Sequence, residues 1–114
     1  MSPLAAGEGM KKTDCDYVGY DVVDAGGAKI GTVGCVFADE DDQREYVEVK
    51  GGVVRRMLGT GYYLIPMEFC TVDNDQEKVR TSVEEDTVKN SPYLDSALDL
   101  SHAHALGVRD YYGL

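Results

Sequence analysis

Two acidic runs, two closely spaced histidines and three cysteines are the side chains of this sequence with the types to do chemistry. Asp39-Glu40-Asp41-Asp42 and Asp73-Asn74-Asp75-Gln76-Glu77 could ligate Ca²⁺ or Mg²⁺ through carboxylate oxygens. The second run spaces acids at 73, 75 and 77 as an EF-hand loop does, but Lys78 stands where that loop needs glycine. Both runs therefore read as solvated turns. His102 and His104 are two apart, which places them on opposite sides of a helix and on one face of a strand. Their segment reads as helix, so they are not taken as joint ligands. Cys35 or Cys70 could pair with a histidine as a nucleophile only at an exposed, thiolate-stabilising site. Each sits instead in an apolar run, where cysteine behaves as a small buried hydrophobe. No GxSxG elbow, phosphate-binding GxxxxGK[ST] loop or GxGxxG turn occurs. The chain reads as non-catalytic, with no cofactor and no resident metal.

A different set of residues suits recognition. Arg55-Arg56 is the one basic doublet apart from Lys11-Lys12, and Tyr62-Tyr63 follows it closely. Tyr111-Tyr112 stands near the end of the chain. Arginine and tyrosine are enriched at interface hot spots, so Arg55, Arg56, Tyr62, Tyr63, Tyr111 and Tyr112 are the candidate partner-binding residues. The competing reading puts alternate tyrosines in the core and packs the C-terminal pair against the body of the domain.

These residues must be positioned by short strands. Residues 17–23 read as a strand, with Val18, Tyr20 and Val22 alternating against Gly19, Asp21 and Val23. Asp24-Ala25-Gly26-Gly27-Ala28 is a turn. Residues 30–38 form a second strand, with Val33, Cys35 and Phe37 on one face and Ile30, Thr32, Gly34 and Val36 on the other. Both faces are partly apolar, so the strand is expected to be covered on both sides, with Gly31 and Gly34 marking bends or close backbone approach. Residues 46–50 alternate, Val47 and Val49 inward, Glu48 and Lys50 outward. Residues 53–58 are a short ambiguous segment. Residues 62–65 and 67–72 flank Pro66, which cannot donate to a ladder and so marks a bend or edge. Residues 78–81 make a last short strand. Ser82-Val83-Glu84-Glu85 fits a capping box opening a helix through Lys89, and residues 101–106 read as a second short helix stopped by Gly107.

Five or six short strands at turn spacings of about 8–12 residues predict a mainly β fold. A chain this short hides its edges most simply as a small closed or partly open antiparallel barrel. Residues 1–16 read as a flexible leader, 17–93 as the barrel domain and 94–114 as a C-terminal tail with a short helix. The 114 residues allow one domain, and 21 acidic against 11 basic side chains give a net charge of −10. Phosphate backbones and anionic lipid repel such a surface, which excludes nucleic acid as the expected partner. No stretch is long and apolar enough to span a membrane. Three widely spaced cysteines give no disulfide framework and fit a reducing, cytoplasmic setting.

The ordered set of segments resembles PRC-barrel domains. Gly19-Tyr20-Asp21-Val22-Val23-Asp24, then Gly27 and Ile30-Gly31-Thr32-Val33, resemble the opening hairpin of that family. Tyr46-Val47-Glu48-Val49, Ile65-Pro66 and Val72-Asp73 fall where it places further strands. Val88-Lys89-Asn90-Ser91-Pro92-Tyr93 is similar to its short helix with a Ser/Ala-Pro ending, and Asp110-Tyr111-Tyr112-Gly113-Leu114 to a tail of some bacterial members. The family includes the cytoplasmic barrel of the photosynthetic reaction-centre H subunit and the C-terminal domain of the ribosome maturation factor, both protein-docking domains. The resemblance implies a small barrel that binds proteins, and it carries no catalytic residues. The expectation is a protein-binding or scaffolding module that forms a homodimer or higher homo-oligomer. A small-ligand or metal-binding barrel is the alternative, and an enzyme the remote one.

Overall fold

Valine, isoleucine and tyrosine crowd between the glycine-bearing turns, and on a pleated, half-buried surface these residues pack best. The computed structural model describes residues 10–13, 15–40, 43–50, 61–95 and 100–114. Eight strands occur among them: β1 (Met10–Thr13), β2 (Asp21–Val23), β3 (Lys29–Asp39), β4 (Arg44–Lys50), β5 (Gly61–Pro66), β6 (Cys70–Asp73), β7 (Lys78–Thr81) and β8 (Leu94–Asp95). Two helices follow the main strands, α1 (Glu85–Lys89) and α2 (His102–Tyr111). The strands run in the order β6-β7-β2-β3-β4-β5-β8 as a curled, open half-barrel, with β1 paired to β3 outside that path. The fold is mainly β and barrel-like, as the sequence predicts. The strand number exceeds the expected five or six. One pairing, β2 with β7, is parallel rather than antiparallel. That pairing joins the β6–β7 hairpin to the rest of the sheet and covers an edge of β2 that would otherwise stand open.

Local deviations from the expected elements have identifiable causes. Residues 10–13 fall in the span read as a leader, yet they pair with β3 from Met10–Asp39 to Thr13–Val36. Met10 is buried, and its N–H donates to the Leu100 carbonyl at 3.1 Å. Residues 17–20 turn instead of extending, because Gly19 adopts φ +89° and the Tyr20 N–H donates to the Tyr17 carbonyl at 3.1 Å. No Ser82 box opens α1: its N-cap is Glu84, and the Val83 N–H donates to Thr81 Oγ1 at 3.1 Å. Pro66 ends β5 and leads into a single 3-10 turn, Met67–Phe69, before β6. The ambiguous segment 53–58 lies outside the described residues.

The half-barrel is buried on both faces from β3 to β5, while β6 and β7 keep an exposed outer side. Inside the curl, Val22, Ile30, Val33, Val47, Val49, Tyr63, Ile65, Val79, Val83 and Val88 form one core. On the outer face Met10, Phe37, Tyr46, Tyr62, Leu64, Leu94, Leu100, Ala105 and Val108 form a second. β4 and β5 feed alternate residues to the two layers, so neither strand has a solvent face. A bulge makes this possible in β3. Its register against β4 jumps between Val33–Val49 and Val36–Val47, so Gly34 and Cys35 together oppose Glu48. One extra residue reverses which parity points inward. Val33 therefore joins the inner core and Phe37 the outer one, although both were expected on one face.

Candidate docking surface

The outer core exists because α2 covers it. Ser101 opens the helix with a capping box in which its N–H donates to His104 Nδ1 at 2.9 Å. The helix runs through Gly107, which was expected to stop it, because its buried face of Ala105 and Val108 continues past that point. The stop is Gly113, at φ +80°. Its N–H donates to Asp110 and the Leu114 N–H to Arg109, at 3.1 and 2.8 Å, the pattern of a Schellman motif. Glycine adopts that backbone without the steric cost other residues meet there.

Polar contacts fix both ends of α2 to the sheet. His102 Nδ1 lies 2.6 Å from Oδ2 of the buried Asp39, at the end of β3. Arg109, with its side chain only 12% exposed, holds Glu68 Oε2 at 2.9 Å, and Arg44 holds the same oxygen at 2.9 Å. The Arg109 hydrogen bond and, more weakly, that from Arg44 keep the Glu68 carboxyl below its ordinary pKa. Arg109 is correspondingly raised, chiefly by Glu68 and further by the hydroxyl of buried Tyr46. On the other flank the Tyr111 hydroxyl donates to the Thr87 carbonyl at 2.7 Å, tying α2 to α1.

What remains outside is an apolar ridge. Leu106 is 50% exposed and Leu114 47%, with Ala103, Gly107 and Asp110 exposed beside them and Tyr111 at the edge. A Cβ on Gly107 would meet nothing within 4 Å, so the chain's own packing does not require glycine there. Beyond Tyr111 the surface turns acidic. A shallow groove is lined by Asp24, Gly26, Glu84, Glu85 and Asp86.

The candidate residues read from sequence separate into three groups. Arg55 and Arg56 lie outside the described residues. Tyr62 and Tyr63 are a correction: both are buried, Tyr62 stacked on Phe37 at 5.5 Å and Tyr63 edge-on to Tyr93 at 5.4 Å. A strand buried on both faces leaves neither ring to a partner. Tyr111 is part of the exposed edge. Tyr112 packs on Phe69 and Tyr111 at 5.7 and 5.0 Å, and burial pushes its hydroxyl up to about 12. The ridge residues Ala103, Leu106 and Leu114 were missed. Ala103 and Leu106 fell within the short helix read over 101–106, but with the helix cut at Gly107 nothing marked a continuing face leading to Leu114.

The groups with chemical potential are engaged structurally. His102 and His104 face different partners, Asp39 and Ser101. Asp73 caps its own turn, accepting from the Gln76 N–H at 3.1 Å and pairing with Arg80 at 3.4 Å. The Cys35 and Cys70 thiols are both pushed up to about 12, burial being the leading cause in each. Among the described residues no group of three or more His, Cys, Asp or Glu could hold a metal ion. No described helix is long and apolar enough to cross a membrane.

The family model for the PRC-barrel domain matches residues 11–87. The chain belongs to the PRC-barrel domain family. Among curated proteins none matches it. The match begins inside β1 and ends within α1. The ridge of this PRC barrel, carried by α2, therefore lies beyond the residues that define the family.

Proposed function

We propose that this PRC barrel is a non-catalytic docking module that presents the outer face of α2 to another protein. One observation carries the reading: Leu106 on α2 and Leu114 just past its end are about half exposed, and the helix is pinned at both ends by His102–Asp39 and Arg109–Glu68. A rigid, pre-formed apolar surface loses little entropy on binding, which is what an interface needs. The inner core is filled by its own side chains, as expected of a small barrel, which favours docking over a small ligand held inside. A net charge of −10 disfavours nucleic acid. Three free thiols suit a reducing, cytoplasmic setting.

The test is the double variant Leu106→Ser/Leu114→Ser in the full chain. Capture of a partner from the native host is expected to be lost while the urea midpoint is unchanged, since both side chains are already half in water. Undiminished capture by the variant would remove α2 from the binding surface. Self-association through the same face is a second occupant, and light scattering across a concentration series reads it directly.

A further inference from the structure

The charges bordering the ridge say what kind of partner it takes. Asp24, Glu84, Glu85 and Asp86 line one groove, and among the described residues none of the four has an ion-pair partner. Of the other described surface acids, Asp21, Glu40, Glu68 and Asp73 are each held by a lysine or arginine, while Glu45, Asp75, Glu77 and Asp110 have no ion pair among the described residues. The groove differs from these in bringing four unpaired acids together beside the ridge. Asp24 uses Oδ1 to accept from the Gly26 and Ala28 N–H groups at 3.0 and 2.8 Å, which fixes the shape of its own turn. The groove adjoins the ridge through Tyr111, whose hydroxyl reaches the carbonyl of Thr87 one residue past Asp86. Asp110 lies on the ridge itself, and Arg109 is turned inward to Glu68. Gly107 costs the helix about 1 kcal/mol relative to alanine and fills no space inside the chain. Together with Ala103, one turn earlier, it leaves the exposed face low on both sides of Leu106, where another backbone can come close.

Resting on the docking reading, we infer that α2 and the acidic groove form one continuous surface for a basic amphipathic segment of a different protein. Its apolar residues lie along Leu106 and Leu114, and its lysines or arginines reach Asp110 and the groove. Charge complementarity decides against a second copy. Such a copy brings a net charge of −10 and an identical acidic border to the same face.

The probe is a short amphipathic leucine–lysine helix, titrated into the full chain by calorimetry at two salt concentrations. A leucine–glutamate helix of the same pattern is the control peptide. Three variants are compared: Leu106→Ser/Leu114→Ser on the ridge, Glu84→Gln/Asp86→Asn in the groove, and Asp75→Asn/Glu77→Gln in the β6–β7 turn. The groove and turn variants change net charge equally. The expected result is a loss of about fivefold or more for the groove pair and less than about twofold for the turn pair. The ridge pair abolishes binding, added salt weakens it, and the glutamate peptide does not bind. If the ridge pair abolishes binding while groove and turn variants behave alike, docking stands and the basic-partner inference falls. If all acidic variants weaken binding equally and the ridge pair does nothing, the attraction is unspecific and both readings fall. A dimer that dissociates on Leu106→Ser/Leu114→Ser without peptide assigns the face to a second copy and overturns the inference.

Discussion

Glu48 offers the sharpest test of how the two-layer sheet is held. It lies opposite Leu64 on β5 and opposite the Gly34–Cys35 bulge, and it is 1% exposed. Among the described residues Oε2 is buried without a hydrogen-bond partner, Oε1 lies 3.8 Å from Lys50 Nζ, and the Cys35 thiol is the carboxyl's other polar neighbour. A carboxylate oxygen left unsatisfied in a core costs about 1–3 kcal/mol. At 3.8 Å the lysine returns no more than about 4 kcal/mol at an effective dielectric near 20. With half of the Lys50 side chain in water the real figure is about 2–3 kcal/mol. Lys50→Met is therefore expected to destabilise by about 2–3 kcal/mol. Glu48→Met removes the charge and its orphan oxygen together, and is expected to be neutral or stabilising by about 1–2 kcal/mol. In the Glu48→Met background Lys50→Met should cost less than about 0.5 kcal/mol, a coupling of roughly 2 kcal/mol between the two sites. Urea unfolding followed by tyrosine fluorescence and circular dichroism reads each corner of the cycle, the chain having eight tyrosines and no tryptophan. The reasoning is refuted if Glu48→Met costs more than about 2 kcal/mol while Lys50→Met is silent, because the carboxylate would then be fully satisfied where it sits.

Gly61→Ala should destabilise by about 2 kcal/mol or more, because a Cβ there runs into the Tyr93 ring and the Leu94 carbonyl. Chemical denaturation checks it, and an unchanged midpoint would show that the 61–94 contact is loose. On α2, Val108→Ala is expected to cost about 1–3 kcal/mol and Leu106→Ala under about 0.5, since only the first is buried. Equal costs in thermal melts would mean the helix does not rest on the sheet as described. Glu68 is depressed from the ordinary value near 4.5, so its contribution is present above that pH and is lost as pH falls through the depressed value. The urea midpoint should fall between pH 5 and pH 3 more steeply in the wild type than in Glu68→Gln, and parallel slopes would contradict this. Cys35 and Cys70, raised to about 12, should alkylate at pH 8 about a hundredfold slower folded than in urea. Mass-spectrometric counting of labelled thiols reads the difference, and rapid double labelling of the folded chain would refute it.

The sequence made the barrel legible but showed a second covered face only at residues 30–38, where both faces are partly apolar. The strands 30–38, 46–50 and 78–81 were found closely: they are the middle of β3, the end of β4 and the whole of β7. The segments missed lack local signals. Met10-Lys11-Lys12-Thr13 has neither apolar alternation nor a flanking turn, and it is a strand only because the far half of β3 offers an edge and Leu100 accepts its N–H. Burial of Glu48 contradicts its alternation, because period 2 separates two faces but does not say which is wet. The bulge at Gly34–Cys35 was suggested by glycine, but its consequence, the exchange of faces between Val33 and Phe37, is a property of the pairing with β4. The docking ridge was lost to one local rule. A glycine after an apolar helical stretch is usually a stop, and here tertiary burial of Val108 on the far side carried the helix through it.

That failure bears on function. A helix held only by its own propensity would end at Gly107, and one selected only for stability would carry alanine there. This helix continues because Ala105 and Val108 seal the outer core and Arg109 locks onto Glu68, so its stability comes from the inner side. The outer side is thereby left little duty in folding, and around exposed Asp110 it carries glycine, alanine and half-exposed Leu106, with Leu114 just past the helix end. Apolar exposure with no role in the chain's own packing is what an interface requires. Under the proposed function, placing it on an element beyond the family's matched residues would let a shared barrel take a partner of its own without altering the half-barrel beneath.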